Sequence, residues 1–408
     1  MIPADLASRR WFRSKQRPIA AITVVDQAPI GPGALVVLEV VFADGGPPER
    51  YLAPMVDGRE PSDGEGAWTA MAAAIGREQR IGPFVAHRAA GFEAGPLDER
   101  RLAVEQSNTS VVLGERLILK LYRLLEPGDN PDLEIGTFLT DAGFTDTPAL
   151  AGSITYETGD VHAAAAMLQA FVPGAGDAWG TMLAALASDP ERGIEMAARI
   201  GDLTSRLHRC LASRPDDPDF PARPATVDET AAWRASAERQ LTFASDTLRG
   251  ADHERLVTLA PTARARFADA FGSAAGGASV SRIHGDFHLG QLLARPDGGF
   301  SVIDFEGEPA RPLDERRRPS SPLRDVAGML RSLDYAARTA ERRSGLAADA
   351  WLERARRAFL NGYGPTDSGL LAAFELEKAC YEVRYEAGMR PDWLWLPMAA
   401  VERLVRGR

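Results

Sequence analysis

The octapeptide HGDFHLGQ, His284 to Gln291, and the segment VIDFEGE, whose Asp304 follows Asp286 by eighteen residues, hold the side chains best suited to chemistry. Moving a γ-phosphoryl group requires a carboxylate that orients a hydroxyl nucleophile and accepts its proton, and oxygen ligands that hold Mg²⁺ against nucleotide phosphates. Asp286 lies two residues after His284 and is followed five positions later by the amide of Gln291. That is the spacing of a kinase catalytic loop, in which an H-R-D triplet precedes a metal-binding amide. Asp304 closes the apolar run Phe300 to Ile303 after the turn Pro296-Asp297-Gly298-Gly299, a pattern that predicts a short buried strand aiming its carboxylate rigidly. Two strands joined by that turn bring Asp286, Gln291 and Asp304 into one crevice around a shared cation, with Glu306 as a further ligand. His284 and His288 are expected to support the loop by hydrogen bonding. Chance loop acids account for either carboxylate alone, whereas H-x-D, an amide at plus five and a strand-borne Asp form a compound signal.

HGD followed by a variable run and an IDF triplet resembles the aminoglycoside phosphotransferase and choline kinase branch of the protein-kinase-like fold. The longer strings HGDFHLGQ, DFEGEPARPLDERRRPSSPLRDVAGMLRSLDYAA and FELEKACYEVRYEAGMRPDW, with NTSVVLGERLILKLYR, NPDLEIGTFL and MLQAFVPG upstream, resemble bacterial maltokinases across almost the whole chain. The resemblance implies an α+β, bilobal fold of the aminoglycoside phosphotransferase type, with an N-terminal α/β cap and a mainly helical C-terminal lobe. It implies ATP and Mg²⁺ as cofactors, Asp286 as catalytic base, and Gln291 and Asp304 as metal ligands. The ATP-binding lysine falls on Lys120, at the end of LILK, and its partner on the next helix on Glu134, with Asp132 the neighbouring candidate. The place of a glycine-rich phosphate loop is taken by Ser107, Asn108, Thr109 and Ser110 ahead of the strand Val111 to Leu113, where hydroxyls and backbone amides could cradle phosphate oxygens. An ordinary turn reads the same way.

The implied reaction is phosphorylation of maltose to maltose 1-phosphate, feeding glycogen or α-glucan synthesis from trehalose. Two departures stand out: RWFRSKQRP replaces a glycine-containing RWFGGKGR string near the amino terminus, and FVPGAGDAW differs in detail from the common version. A related actinobacterial group phosphorylates glucosamine on much the same framework, so a glucosamine kinase, or another aminoglycoside-type phosphotransferase, is the alternative. A third reading is an ATP-binding regulatory partner of trehalose synthase, because maltokinases resemble kinase portions fused to that enzyme. Association with trehalose synthase, as monomer or homodimer, is the partner expectation beside the sugar itself.

Size and charge bound these readings. With 408 residues, 45% of them hydrophobic, the chain can bury a core spanning several subdomains. A net charge of −10 argues against nucleic acid as a partner. The cluster Arg316-Arg317-Arg318 reads as a solvated loop. Only two cysteines occur, Cys210 and Cys380, both in helical patterns, which fits a reducing compartment. The start MIPADLASRRWFRSK lacks a signal-type apolar core, and the longest apolar run, Ala163 to Val172 interrupted by Gln169, is too short for a bilayer. A cytoplasmic protein with no membrane partner is expected.

Three segments must position these groups. Residues 1–91 alternate short β-rich runs, Ile22 to Val25 and Ala34 to Phe42, with a helix near Trp68 to Arg80, and read as the cap. Residues 92–173 supply strands carrying the phosphate segment and Lys120, a helix through Glu134, and strands near Ser153 to Tyr156 and Ala164 to Phe171. Gln169, Phe171 and Val172, at the connection to the next lobe, are candidates for pairing with the adenine edge. Residues 174–408 form the helical lobe. Met196, Ile200, Leu203, Leu207 and Leu211 recur at helical spacing, with His208 beside the stripe as a structural hydrogen-bonding residue. Ser321-Pro322 starts a helix with Leu323, Val326, Leu330 and Leu333 inward. In the tail, Tyr381, Arg384 and Tyr385 share a helix, Trp393 and Trp395 follow, and with His288 from the loop they offer rings and charges to a sugar.

Overall fold

The computed structural model describes residues 6–89, 97–102, 108–159, 161–174, 176–309, 311–345 and 347–407. The chain divides into one unit of residues 1–173 with 311–315 and a second of residues 174–310 with 316–408. In the first, β1 (Ile19–Ile30), β2 (Gly33–Phe42) and β3 (Glu49–Met55) form an antiparallel meander. After α1 (Ala67–Gly76) come β4 (Arg80–Ile81), β5 (Phe84–Arg88), β6 (Glu99–Arg101), β7 (Asn108–Leu113), β8 (Leu117–Tyr122), α2 (Pro131–Asp141), β9 (Leu150–Thr158) and β10 (Val161–Ala170). These strands pair in a seven-stranded antiparallel sheet of order β4-β5-β9-β10-β8-β7-β6. Thus β4 and β5, grouped with the first 91 residues by sequence pattern, hydrogen-bond into the larger sheet through β9.

The sequence of β8, LILKLY, explains why it can carry a functional lysine. Leu117, Leu119 and Leu121 are buried while Ile118 and Lys120 are half-buried, the two-residue period of a strand with one face on a core. That core gathers Val37, Leu52, Trp68, Ile75, Leu119 and Ile154. A second cluster, with Trp11, Phe12, Leu38 and Tyr51, fills the three-stranded part. Arg123, next after β8, is fully buried. Its charge is met by Glu60, its Nε donates to Thr109 Oγ1 at 2.8 Å, and its guanidinium lies 4.8 Å from the Trp11 ring centroid. A buried guanidinium is tolerated only with such partners.

The second unit comprises α3 (Ala178–Ser188), α4 (Pro190–Leu211), β11 (Arg223–Pro224), α5 (Val227–Thr247), α6 (Gly250–Ser273), β12 (Ser279–Val280), β13 (Leu292–Ala294) and β14 (Phe300–Val302). Short α7 (Leu313–Arg317) then precedes α8 (Leu323–Ser344), α9 (Ala348–Tyr363), α10 (Ser368–Met389) and α11 (Trp395–Arg406). The predicted stripe of α4 is buried throughout. It crosses α9 closely: a Cβ on Gly201 would lie 2.0 Å from the Phe359 carbonyl oxygen. Helix α8 starts after Ser321-Pro322, with Ser321 Oγ accepting the Leu323 N–H at 3.3 Å; Val326, Leu330 and Leu333 are buried, while Leu323, expected inward, is half-buried in the first turn. Among the described residues no helix is long and apolar enough to cross a membrane.

Candidate active site

Most of the chain between β12 and β13 lacks regular structure, so its shape must come from side-chain and tertiary contacts. The hairpin β13–β14 pairs Leu292 with Val302 and Ala294 with Phe300, and the Ile303 N–H then donates to the Gln291 carbonyl at 3.0 Å. This register brings the expected metal ligands together: Gln291 Nε2 donates to Asp304 Oδ2 at 3.1 Å. With its NH2 engaged on Asp304, the Gln291 amide oxygen is the atom left to face a cation. Asp304 adopts φ +68°, a left-handed conformation that costs an L-residue about 1–2 kcal/mol and is tolerated best by Asn and Asp. Oxygens of Asp304 and Glu306 lie within 4.8 Å of each other. A hard oxygen donor set of this kind fits Mg²⁺.

His284 ties the loop to this hairpin. Its Nε2 lies 3.0 Å from the Ile303 carbonyl and its Nδ1 faces the Asp286 N–H at 3.4 Å, so the imidazole supports the backbone rather than facing a substrate. His288 accepts the Gly290 N–H at Nδ1, 3.0 Å. Burial pushes its imidazole below the usual range, against the pull of Asp286. That keeps Nδ1 free to accept.

One face of α8 fixes the same loop. Asp325, fully buried, accepts the His284 N–H at Oδ2 (2.8 Å) and the Gly285 N–H at Oδ1 (2.9 Å), and His208 Nε2 lies 3.0 Å from Oδ2. Burial opposes its ionisation, yet these donors, His208 foremost, hold the carboxyl below the usual carboxylate range. One turn on, a Cβ at Gly328 would come within 2.6 Å of the Phe287 carbonyl. A further turn along, Ser332 Oγ accepts the Leu289 N–H at 3.1 Å.

Helix α10 contributes the residue that sequence reading passed over. Lys378 Nζ lies 3.1 Å from Asp286 Oδ1 and 4.8 Å from the Tyr381 ring centroid. Burial works against both charges, but each supports the other: the Asp286 carboxyl sits below its ordinary range and the Lys378 ammonium above its own. The signal was present in FELEKACY, since Lys378 precedes Tyr381 by three residues and shares its helix face. Arg384 stacks over Tyr381 (5.4 Å) and Phe243 (5.5 Å). Tyr385 is exposed and meets Arg390, which also faces Trp393. The expected acceptor residues therefore fall into two contact groups, Tyr381 with Arg384 beside Lys378, and Tyr385 with Trp393 around Arg390. Beneath α10, fully buried Arg331 donates to Glu382 Oε2 from Nε (2.9 Å) and Nη2 (2.7 Å).

The first unit holds the residues expected to bind a nucleotide. Lys120 Nζ pairs with Asp132 Oδ2 at 2.7 Å, and the Tyr122 hydroxyl donates to the same oxygen at 2.9 Å. Asn130 caps α2 by accepting the Asp132 N–H at 2.9 Å, and both Asp132 and half-buried Glu134 lie in the first helical turn, where the helix dipole favours acids. Asn108, Thr109 and Ser110 are strand residues of β7, facing Tyr122, Leu121 and Lys120, rather than a loop ahead of it. The strand extends further back because its register with β8 continues to Tyr122. Thr109 is buried and its hydroxyl is taken by Arg123. Ser107 lies outside the described residues. Gln169 ends in β10, while Phe171 and Val172 follow it, and the Phe171 N–H donates to the Arg116 carbonyl at 2.8 Å.

Comparison with known proteins gives this geometry a class. A profile of the phosphotransferase enzyme family matches residues 98–360, and one of the maltokinase N-terminal cap domain matches residues 6–82. The chain belongs to the phosphotransferase enzyme family, with the protein-kinase-like fold of that group, and is a kinase of the sugar and aminoglycoside type. It is 32% identical to a glucosamine kinase of Streptacidiphilus jiangxiensis over 88% of this chain and 86% of that one. To a glucosamine kinase of Mycolicibacterium smegmatis it is 29% identical over 75% and 79%. A solved glucosamine kinase in complex with glucosamine, ADP and inorganic phosphate is similar with a TM-score of 0.77 at 29% identity, over 95% of this chain and 94% of that one.

Proposed function

We propose that this protein transfers the γ-phosphoryl group of ATP to a hydroxyl of an amino sugar of the glucosamine class. The observation that carries the reading is the Asp286–Lys378 pair at 3.1 Å, set in the loop whose far end joins Gln291 to Asp304. Asp286, kept ionised by Lys378, orients the acceptor hydroxyl and takes its proton as the oxygen attacks phosphorus. Lys378 balances charge on the base before transfer and on the moving phosphoryl group during it. Mg²⁺, held by Gln291, Asp304 and Glu306, would neutralise phosphate charge when bound. Lys120, aligned by Asp132 with Glu134 nearby, binds α and β phosphates, assisted by Ser107, Asn108 and Ser110. With the Phe171 amide engaged, contact to the adenine edge falls to Gln169 and Val172.

Tyr381, Arg384 and His288 form the near wall of the acceptor site, and Tyr385 with Trp393 its outer rim. Asp286, Glu308 and Glu382 all act on Lys378; with Glu382 taken by Arg331, Asp286 and Glu308 are the carboxylates that would meet a sugar ammonium there. Glucosamine kinases as full-length relatives support the same choice. Maltose is the second reading, favoured by the match to the maltokinase cap over residues 6–82.

An ADP-release assay across glucosamine, maltose, glucose and an aminoglycoside tests the assignment. Turnover should be greatest with glucosamine and fall about 10²–10⁴-fold in Asp286→Asn. A higher kcat/KM for maltose would replace the amino-sugar reading with the second one.

A further inference from the structure

On the second unit a cleft of about 540 Å³ opens behind the catalytic loop, lined by Arg209, Arg223, His208, Tyr363, Ser279 and Ser281 among others. Its size suits a small metabolite. None of its lining residues is acidic, although the chain carries ten more acidic than basic residues. Arg223 is neutralised by Glu229, which accepts both of its terminal nitrogens at 2.8 Å. Arg209, exposed in the last turn of α4, makes no ion pair among the described residues. Arg209, Arg223, Ser279 and Tyr363 line one concave surface whose other members are mostly small or apolar, Ala212, Ala222 and Pro224 among them; the buried Ser281 hydroxyl is taken by the Arg282 carbonyl at 3.1 Å. An anionic head with a compact body matches that lining.

The cleft also touches the machinery that holds the catalytic loop. Tyr363 OH and His208 Nδ1 are 3.0 Å apart, and His208 Nε2 and Asp325 Oδ2 are 3.0 Å apart. Asp325 in turn holds the His284 and Gly285 amides. Ionised Asp325 accepts from Nε2–H, and in the tautomer that this selects Nδ1 would accept from the Tyr363 hydroxyl. A ligand anion accepting that same O–H competes with His208 for it. Ser279 and Ser281 lead directly into His284 along the backbone.

We propose that this cleft is an effector site for a phosphate ester of monosaccharide size, and that its occupancy reaches the catalytic loop through Tyr363, His208 and Asp325. Calorimetry on the whole protein, with ADP and Mg²⁺ saturating the nucleotide site, tests binding with glucose 6-phosphate and inorganic phosphate as probes. The sugar phosphate should bind, and Arg209→Glu or Ala222→Trp should weaken it by about tenfold or more, a difference of roughly 1.4 kcal/mol. Saturating ester should lower wild-type kcat by about fivefold or more, within the usual range of coupling between sites, and Tyr363→Phe should bind the ester but lose that response. The proposal is overturned if the ester does not bind, if both variants bind it as wild type does, or if binding leaves kcat unchanged, the mark of an adventitious ion only. None of these outcomes bears on the sugar assignment, which rests on turnover.

Discussion

Replacing Lys378 by Met keeps the aliphatic stem and removes the charge 3.1 Å from Asp286 Oδ1. Two unit charges at that separation attract by about 5 kcal/mol at an effective dielectric of about 20. Both side chains are partly exposed, at 29% and 23%, so solvent screens part of this. Two consequences separate experimentally. The Asp286 carboxyl is held below its ordinary range by Lys378 against burial. Without the ammonium, burial prevails and the proton is retained to higher pH. The base must be ionised to act, so the acid limb of the kcat/KM profile moves upward in Lys378→Met and the alkaline side does not. Near neutral pH a carboxyl is still ionised, and loss there reports the missing charge at the transferring phosphoryl group, about 10²-fold in kcat or roughly 2.7 kcal/mol. Steady-state kinetics from pH 4.5 to 8.5 with circular dichroism as a folding control measures both. A folded variant whose kcat stays within about threefold of wild type and whose acid limb does not move would refute the coupling of Lys378 to Asp286.

Three further outcomes follow from named contacts. Asp286→Asn should lose about 10²–10⁴-fold in kcat, the usual worth of a positioned base, while ADP affinity by calorimetry stays within about threefold. Asp304→Asn should raise the Mg²⁺ concentration for half-maximal activity by about tenfold or more, read by Mg²⁺ titration of initial rates, because the amide carries no charge for a hard cation. Gly201→Val must displace the Phe359 carbonyl, 2.0 Å from where its Cβ would sit. It should cost about 1–3 kcal/mol as overpacking, seen as a lower urea midpoint of the helical unit at unchanged slope.

What could be read from sequence was what lies close along the chain. Gln291 and Asp304 flank one hairpin, and a turn signal plus the short run Phe300 to Ile303 suffices to predict that these two meet. Lys378 stands 92 residues from Asp286, and only the packing of α10 brings it there. The start of α8 was legible from Ser321-Pro322, but not that Asp325, one turn in, points at loop amides rather than solvent. Sequence assigns the partner of Lys120 to Glu134, with Asp132 as the neighbouring candidate; the contact to Asp132 depends on helix phase, set by the Asn130 cap and by Tyr122 reaching the same oxygen. Polar residues Asn108 to Ser110 look like a loop until register with β8 makes them strand.

The catalytic loop itself has little secondary structure to maintain its shape, yet transfer demands that a carboxylate be placed to within a fraction of an ångström. Asp325, Gly328 and Ser332 explain how this is met. Their spacing of three and four residues places them along one face of α8. From that face they meet, in order, the amides of His284 and Gly285, the carbonyl of Phe287 and the amide of Leu289. A carboxylate, an absent side chain and a hydroxyl thus take the backbone on both sides of Asp286, two as acceptors and one as space. Charge-assisted bonds from a buried carboxylate are the strongest of these, roughly 1.5–3 kcal/mol each. Lys378 then fixes the side chain of Asp286 as α8 fixes its backbone. Helix α8 also packs on α10 through Arg331 and Glu382, so the helix that shapes the loop and the helix that charges its base are tied by a buried ion pair. A kinase built this way holds its base through contacts of its own chain, from α8 on the backbone and from Lys378 on the carboxylate.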